Sequence, residues 1–426
     1  LPEMRRLPLI NLCLLSKAHG VRDIMGFLQD ALDPPPQSAA MQAIHELQES
    51  GALDEDENLT PIGHHLCYLP LDIPVAKLLI MGTLLNCLDP VLTLAASLSL
   101  TRGILTKTYS QGEQLGIDSV HGQYRRYSDI VPYVHDYRQA SDLLVTLAAY
   151  EDWRRKAAQP RTGRSEILAF CKARCLSLES LEQLEDFREQ YLRHLCDLGL
   201  VQIDRSAAPR GMPLARIIRP FHDVRHGFRA GFTRVPAHAN VNGDNVNILY
   251  AAIVGALDHI LMPSLKTPSA YVIGQTTVSK RVQGIGKAIQ IVDRERVATR
   301  PIQLHGDSVV GTVDSEAALS RKNALVAASL TGTSSKTFAN DVTKVNLATV
   351  MLFARAVEYW PKARQMTINR WIECKCFART TSVLMLMRRV MHQIMEYKVN
   401  YPAQPLPDNL DKWQQVIISV LRIEGV

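Results

Sequence analysis

Gly286-Lys287, the one Gly-Lys dipeptide in the chain, is the natural place to look for a phosphate-binding loop. Such a loop needs a glycine five residues before the second glycine and a hydroxyl directly after the lysine. Arg281 and Ala288 stand at those two positions, which removes both the backbone nest and the magnesium-binding hydroxyl. Gly284-Ile285-Gly286 is too short for a dinucleotide fingerprint and reads as a flexible turn. Two cysteine pairs, Cys171 with Cys175 and Cys374 with Cys376, lack the CxxC spacing of a structural zinc site. Eight irregularly placed cysteines in 426 residues also make no disulfide framework, so they read as reduced and packed. The acidic run Asp54-Glu55-Asp56-Glu57 borders a turn with no further hard ligands nearby, as expected of a solvated tip. His64 and His65 are adjacent, point to different sides and are expected to be structural. There is no Gly-x-Ser-x-Gly elbow and no His-Glu-x-x-His helix. On its own residues the chain has no catalytic centre and no metal site.

What the residues do offer is charge. The net charge is +6, and the excess is confined to residues 321–426, where 15 Lys and Arg face 7 Asp and Glu. A polyanion surface there and a merely solvated basic face both fit this asymmetry. Arg388-Arg389, Lys362, Arg364 and Arg370 are equally compatible with surface decoration on helices. Hydrophobic residues make up 46% and charged residues 21%, which excludes wholesale disorder. No run of about 18 apolar residues is present, so no membrane span is expected. Leu1 is not an initiator Met and no signal peptide follows it, so the chain is expected to be an intracellular piece of something longer, in cytoplasm, nucleus or mitochondrion alike.

Elements must position whatever this surface binds. Apolar spacing predicts helices at 8–17, 22–32 and 37–50, the second ended by Pro34-Pro35-Pro36 and the third capped by Gly51. The stretch 52–60 then reads as an apolar run, an acidic turn and a return strand. Three helices and a hairpin outline a winged helix. Residues 74–100 are nearly continuously apolar and predict buried helices with a turn at Asn86–Pro90. A polar loop is expected at 101–129. Helices at 139–155 and 178–198 have mixed faces that suggest a solvent-facing bundle. Residues 205–239 read as an extended connector, and 246–262 as an apolar helix. From Thr267 short β-branched runs at 271–273, 288–292, 324–330 and 337–338 predict a small antiparallel barrel. Helices return at 347–356, 380–398 and 411–422.

One resemblance is more specific than any of these patterns. Between 51 and 99 the chain reads Gly-Ala-Leu-Asp, Leu-Thr-Pro-Ile-Gly, Tyr-Leu-Pro-Leu-Asp, Ala-Lys-Leu-Leu, Asn-Cys-Leu-Asp-Pro-Val-Leu and Ala-Ala-Ser-Leu-Ser. That succession closely resembles the C-terminal region of DEAH/RHA-type RNA helicases. Pro2–Arg5, Ser141–Trp153, Phe170–Arg188, Asn240–Pro263, Phe338–Phe353, Trp371–Leu386 and Lys398–Pro402 extend the likeness. Leu143 stands where the family commonly has His after Ser-Asp. Leu330-Thr331, Thr333, Ser334 and Phe338-Ala339-Asn340-Asp341 replace a more charged barrel segment, leaving Lys336 as its one cation. Arg161–Glu166 imitates part of the family's arginine motif but lies on the wrong side of the winged helix.

The resemblance implies a multidomain, mainly α chain: a winged helix (1–69), a helicase-associated ratchet bundle (70–264), an OB-fold barrel (265–372) and C-terminal helices (373–426). It implies an accessory half that grips single-stranded RNA against RecA-like domains of the same parent. ATP and Mg would be held by those domains and no cofactor by this chain. RNA contacts are expected from Thr331, Thr333, Ser334 and Lys336, with Lys280 and Arg281 on an adjoining loop. The rival from another class is a protein-interaction scaffold, docked to an adaptor or within a ribonucleoprotein assembly.

Overall fold

A computed structural model describes residues 9–105, 141–159, 162–206, 209, 211–220, 231–263, 271–272, 291–292, 302–305, 308, 310, 323–332, 337–369 and 372–422. The chain opens with helices α1 (Ile10–Ala18), α2 (Ile24–Gln29) and α3 (Gln37–Glu49). Asp23 caps α2 by accepting from the Gly26 amide at 3.0 Å. α3 ends in a Schellman turn: Ala52 N–H reaches Leu47 O at 2.9 Å and Gly51 N–H reaches Gln48 O at 3.1 Å. The turn needs φ of +75° at Gly51, which a side chain would strain. The hairpin expected at 52–60 reduces to a single bridge, Leu53 with Leu59. Asp54 organises the tip between them, its carboxylate accepting from the amides of Asp56 at 2.9 Å and Asn58 at 2.7 Å. Thr60 then caps α4 (Pro61–Tyr68) through the Gly63 amide at 3.0 Å.

The apolar stretch forms α5 (Ile73–Leu84) and α6 (Leu88–Leu98), both buried along most of their length. They pack so closely that a Cβ on Gly82 would sit 2.6 Å from a Val91 methyl. α7 (Asp142–Ala157), α8 (Arg164–Ala173) and α9 (Leu178–Asp197) complete the bundle, followed by the short α10 (Leu214–Ile218) and a 3-10 turn at Ala237–Asn240. α7 and α9 are not the solvent-facing pair that their composition suggests. Leu143, Leu144, Ala149 and Tyr150 of α7 are buried, and so are Glu185 and Arg188 of α9. The polar residues mix the faces because they pair with each other inside. The polar loop expected at 101–129 lies mostly outside the described residues.

α11 (Val246–Ala256) is apolar all round and buried accordingly, in contact with α5, α6 and later helices. It stops six residues earlier than its hydropathy predicts, because His259–Pro263 leaves it as strand β1. Asp258 at this junction pairs with the buried Lys77 of α5 at 3.2 Å. Strands β2 (Tyr271–Val272), β4 (Ile302–Leu304), β5 (Asn323–Gly332) and β6 (Thr337–Asn346) follow, with β3 (Ile291–Val292) belonging elsewhere. Pairing runs β1-β2-β4-β6-β5 and returns from β5 to β1, closing a ring. All pairs are antiparallel except β4 with β6, which is parallel where an antiparallel barrel was expected. Leu261, Ile302, Leu325, Ala327, Ala339 and Val342 fill the ring, while Ile260, Met262, Ala324 and Val326 on the opposite faces join the helical core.

After α12 (Leu347–Phe353) comes a second sheet that hydropathy alone does not reveal: β7 (Val357–Trp360), β8 (Gln365–Ile368) and β9 (Ile372–Lys375), with β3 pairing onto β9. Its strands are four residues or shorter, and Trp371–Lys375 resembled the start of a terminal helix. Helices α13 (Ala378–Asn400) and α14 (Asp408–Arg422) close the chain across the Pro-rich break. They tie back to its middle: His65 Nε2 lies 2.9 Å from Val399 O, Gln414 Nε2 donates to Leu84 O at 2.6 Å, and Arg422 donates to Asn242 Oδ1 at 2.5 Å.

Arg388 is not surface decoration. Its guanidinium donates to Met351 O at 3.1 Å, Leu352 O at 2.8 Å and Arg355 O at 3.2 Å, satisfying the orphan carbonyls at the end of α12. Arg388→Ala should therefore lower unfolding stability by about 1–3 kcal/mol in urea titrations, with Arg388→Lys recovering part of it. A loss within a few tenths of a kcal/mol would show the cap to be dispensable.

Candidate nucleic-acid interface

The geometry begins at the turn Asn86–Pro90. Asn86 adopts φ of +51°, in the left-handed region that asparagine tolerates better than most residues. Its carbonyl accepts from Asn242 N at 2.8 Å, and the Asn242 side chain donates to Leu85 O at 2.8 Å. Asn240 accepts from the Asp89 amide at 3.0 Å. The 237–242 turn thus grips the start of α6 from outside.

Asp89 then faces inward. Its carboxylate takes Arg188 of α9 at 2.5 Å and Arg154 of α7 at 3.1 Å. Arg188 is fully buried and also donates to Asp89 O at 2.7 Å and to the Thr93 hydroxyl. Glu185, one turn before Arg188, lies 3.4 Å from its Nε. Glu185 further accepts from the Tyr150 hydroxyl and from the Thr233 amide. Arg154 reaches over to Thr233 O at 3.4 Å. One network therefore joins α6, α7, α9 and the connector at 231–235. Burial pushes the Asp89 carboxyl up, but the two guanidinium groups outweigh it and hold it below the usual carboxylate range.

The same helix α7 carries the joint to the ring. Ser141, its N-cap, shares a 2.7 Å hydrogen bond with the Thr343 hydroxyl of β6. Asp142 accepts from the Val342 amide and from the Ser308 hydroxyl, both at 2.8 Å. The Ser-Asp pair in the sequence thus pins the ring to the bundle. Leu143, where the resemblance leads one to expect His, is buried in the helical core.

At the far end of the β5–β6 ladder the faces switch. Asp341 takes φ of +49°, and the pairing skips the Ala328–Asp341 step. Leu325 and Ala327 point into the ring before it, and Leu330 after it. Ser329 and Thr331 are thereby exposed on the other side, beside Asn340. The Asn340 amide donates to Thr331 Oγ1 at 3.1 Å and Ser329 Oγ at 3.4 Å. Phe338 pairs with Thr331 in register and meets His305 edge to face at 6.3 Å. This edge offers hydroxyl and amide hydrogen bonds with an aromatic pair alongside, a set suited to phosphate, sugar and base faces without base-edge readout.

Of the six expected contact residues, Thr331 is the one described, and it sits on this edge. Lys280, Arg281, Thr333, Ser334 and Lys336 lie outside the described residues. Ser329, Asn340 and His305 were missed. Ser329 shares a face with Thr331 by simple alternation along β5, a local signal that was there to use, whereas only the tertiary pairing brings Asn340 and His305 beside it. Among the described residues no cluster of three or more His, Cys, Asp or Glu could hold a metal, and no single helix is long and apolar enough to cross a membrane.

Residues 43–71 match the winged-helix part of the helicase associated domain (HA2), and residues 72–162 match its ratchet-like part. The chain carries the helicase-associated region found in DExH- and DEAH-box helicases. It is 25% identical over 408 residues to the DExH-box ATP-dependent RNA helicase DExH4, chloroplastic, of Arabidopsis thaliana, covering 95% of this chain and 26% of that protein. It is 36% identical over 208 residues to DExH1 of the same plant, covering 49% of the chain and 19% of the relative. Human ATP-dependent DNA/RNA helicase DHX36 is 32% identical over 257 residues, covering 60% and 21%. The chain thus spans about a quarter or less of the length of these relatives. In this helicase-associated region, the boundary between the two matched parts falls at the entry to α5, where the long buried helices begin.

Asp89→Asn should remove about 3 kcal/mol of stability, because it leaves the buried Arg188 and its neighbour Arg154 with Glu185 as the one remaining carboxylate of the network. The pH dependence follows from the sign of the shift. A carboxylate whose folded pKa is depressed contributes stability above its unfolded value, near pH 4, and loses it as pH falls through the lower folded value. The wild-type stability should therefore decline on the acid side of pH 4 more steeply than that of the Asn variant. Parallel acid limbs in urea titrations would refute the role given to Asp89.

Proposed function

We propose that this chain is the RNA-gripping C-terminal part of a DEAH/RHA-type ATP-dependent RNA helicase. It holds single-stranded RNA while RecA-like domains of the same parent, carrying ATP and Mg, pull on it. In this reading the divisions are a winged helix at 1–69, a ratchet bundle at 70–264 whose last strand, β1, is lent to the ring, an OB-fold at 265–372 around the other ring strands, and a helical extension from 373 that begins within β9. The observation that carries it is the 408-residue alignment to a relative named as an ATP-dependent RNA helicase, which runs past the helicase-associated domain through the ring and into the tail. The polar edge at Ser329, Thr331 and Asn340 supports it, as hydroxyls and amides grip phosphate and sugar independently of sequence. Thr333, Ser334 and Lys336 follow Thr331 directly in sequence, and Lys280 and Arg281 supply further cations. No step of ATP hydrolysis is assigned to these residues.

Binding of a labelled single-stranded RNA should weaken with salt, by a log–log slope of about −0.7 per phosphate neutralised. Replacing Lys280 and Lys336 together by Ala should make that slope shallower by about 1.4. A salt-independent affinity, or no binding at all, would overturn the proposal.

A further inference from the structure

The hairpin joining β7 to β8 projects an aromatic and basic cluster that neither the ring edge nor the buried network uses. Trp360 ends β7 and is 57% exposed. Lys362 and Arg364 lie on the exposed tip between the strands. Trp360, Gln365 and Lys375 face each other in register across β7, β8 and β9, so they form one row on one face of the sheet. With adjacent strands about 4.8 Å apart, the Trp360 and Lys375 backbones lie about 10 Å from each other. The tip is pinned rather than loose: the Cys376 amide donates to Arg364 O at 3.1 Å, and Arg364 holds φ of +50°. That bond places Arg364 beside the start of α13, where Phe377 is 69% exposed and Arg379 is exposed as well.

A single exposed aromatic needs no explanation. Two of them interleaved with four exposed cations are a different matter. The carboxylates nearby offset only part of the charge: Glu373 is buried and accepts from Gln365, and Glu358, exposed two residues back from Trp360 on the same face, is one carboxylate against four cations. The opposite sheet face, with Met366, Ile368 and Cys374, is packed into the helical core, so the row is held on a rigid base. Rigid aromatic planes flanked by cations stack unpaired bases and attract the phosphates between them, with little preference for sequence.

We infer that Trp360, Phe377, Lys362, Arg364, Lys375 and Arg379 form a second contact surface for single-stranded nucleic acid, separate from the Thr331 edge. The inference rests on the RNA-binding reading above and adds a stacking site to it. Stacking and charge leave different signatures. Trp360→Ala should weaken binding of a labelled single-stranded RNA by about 5- to 100-fold while leaving the salt slope unchanged. Trp360→Phe should restore part of the affinity. Lys362→Ala with Arg364→Ala should instead make the log–log slope shallower by about 1.4. Both sites are exposed, so thermal unfolding of each variant should match the parent chain. If the parent chain binds RNA and these variants bind it as tightly and with the same slope, this surface is not a nucleic-acid site, and the ring-edge proposal stands. If the parent chain binds no RNA, both fail together. A protein ligand whose capture depends on Trp360, with RNA affinity unaffected, would likewise overturn the inference.

Discussion

Everything in the helical half turns on one ion pair whose guanidinium is wholly buried. Arg188 is wholly enclosed, and it can remain charged there because Asp89 meets it at 2.5 Å and Glu185 stands beside it. A guanidinium in such a place tolerates no approximate arrangement, since losing its counter-charge costs several kcal/mol. Asp89 must sit at the first turn of α6, so Asn86 must turn there with positive φ, and Asn240 and Asn242 must hold the turn. The motif Asn-Cys-Leu-Asp-Pro is therefore a specification of geometry, not of chemistry.

From this fixed point rigidity passes along α7. The helix contributes Tyr150 and Arg154 to the network at its middle and Ser141 and Asp142 to the ring at its start. A stiff helix committed to the network along its length and to the ring at its start holds the ring in one place against the bundle. The polar edge of β5 and β6 and the hairpin of the second sheet then occupy defined positions on the surface. Both are built where the backbone departs from regularity, at Asp341 and at Arg364, each with positive φ. Such departures expose side chains that an unbroken strand would bury.

The helices were legible because their signals are local. Pro and Gly at the ends of α3 and the continuous apolar run of α5 and α6 specify those elements within a few residues, whereas α4, capped by Thr60 with Pro61 at its first turn, was not read as a helix. The strands divided. β2, β3, β5 and β6 fall on the β-branched runs read at 271–273, 288–292, 324–330 and 337–338, whereas β4, β7, β8 and β9, each four residues or shorter, carry no such run and are made strands only by their partners. α11 was read too long because an apolar helix and the buried strand that follows it look alike in hydropathy. Of the candidate contacts, Thr331 was legible as a hydroxyl in a barrel segment. Its neighbours Asn340 and His305 come from other strands and loops, which no local pattern links to it.

The residues by themselves determined that the chain is mainly helical, lacks a phosphate-binding loop, and concentrates its positive charge at one end. They also carried the helicase-associated likeness, because the turn-and-helix motifs that encode it are contiguous. The tertiary structure decided which charges are buried and which face solvent. Arg188 and Arg364 are the same residue type, yet one is sealed in a core network and the other stands on a hairpin tip. Sequence cannot separate them, because burial of a charge depends on whether counter-charges from other helices arrive to meet it, and that is settled only when those helices pack.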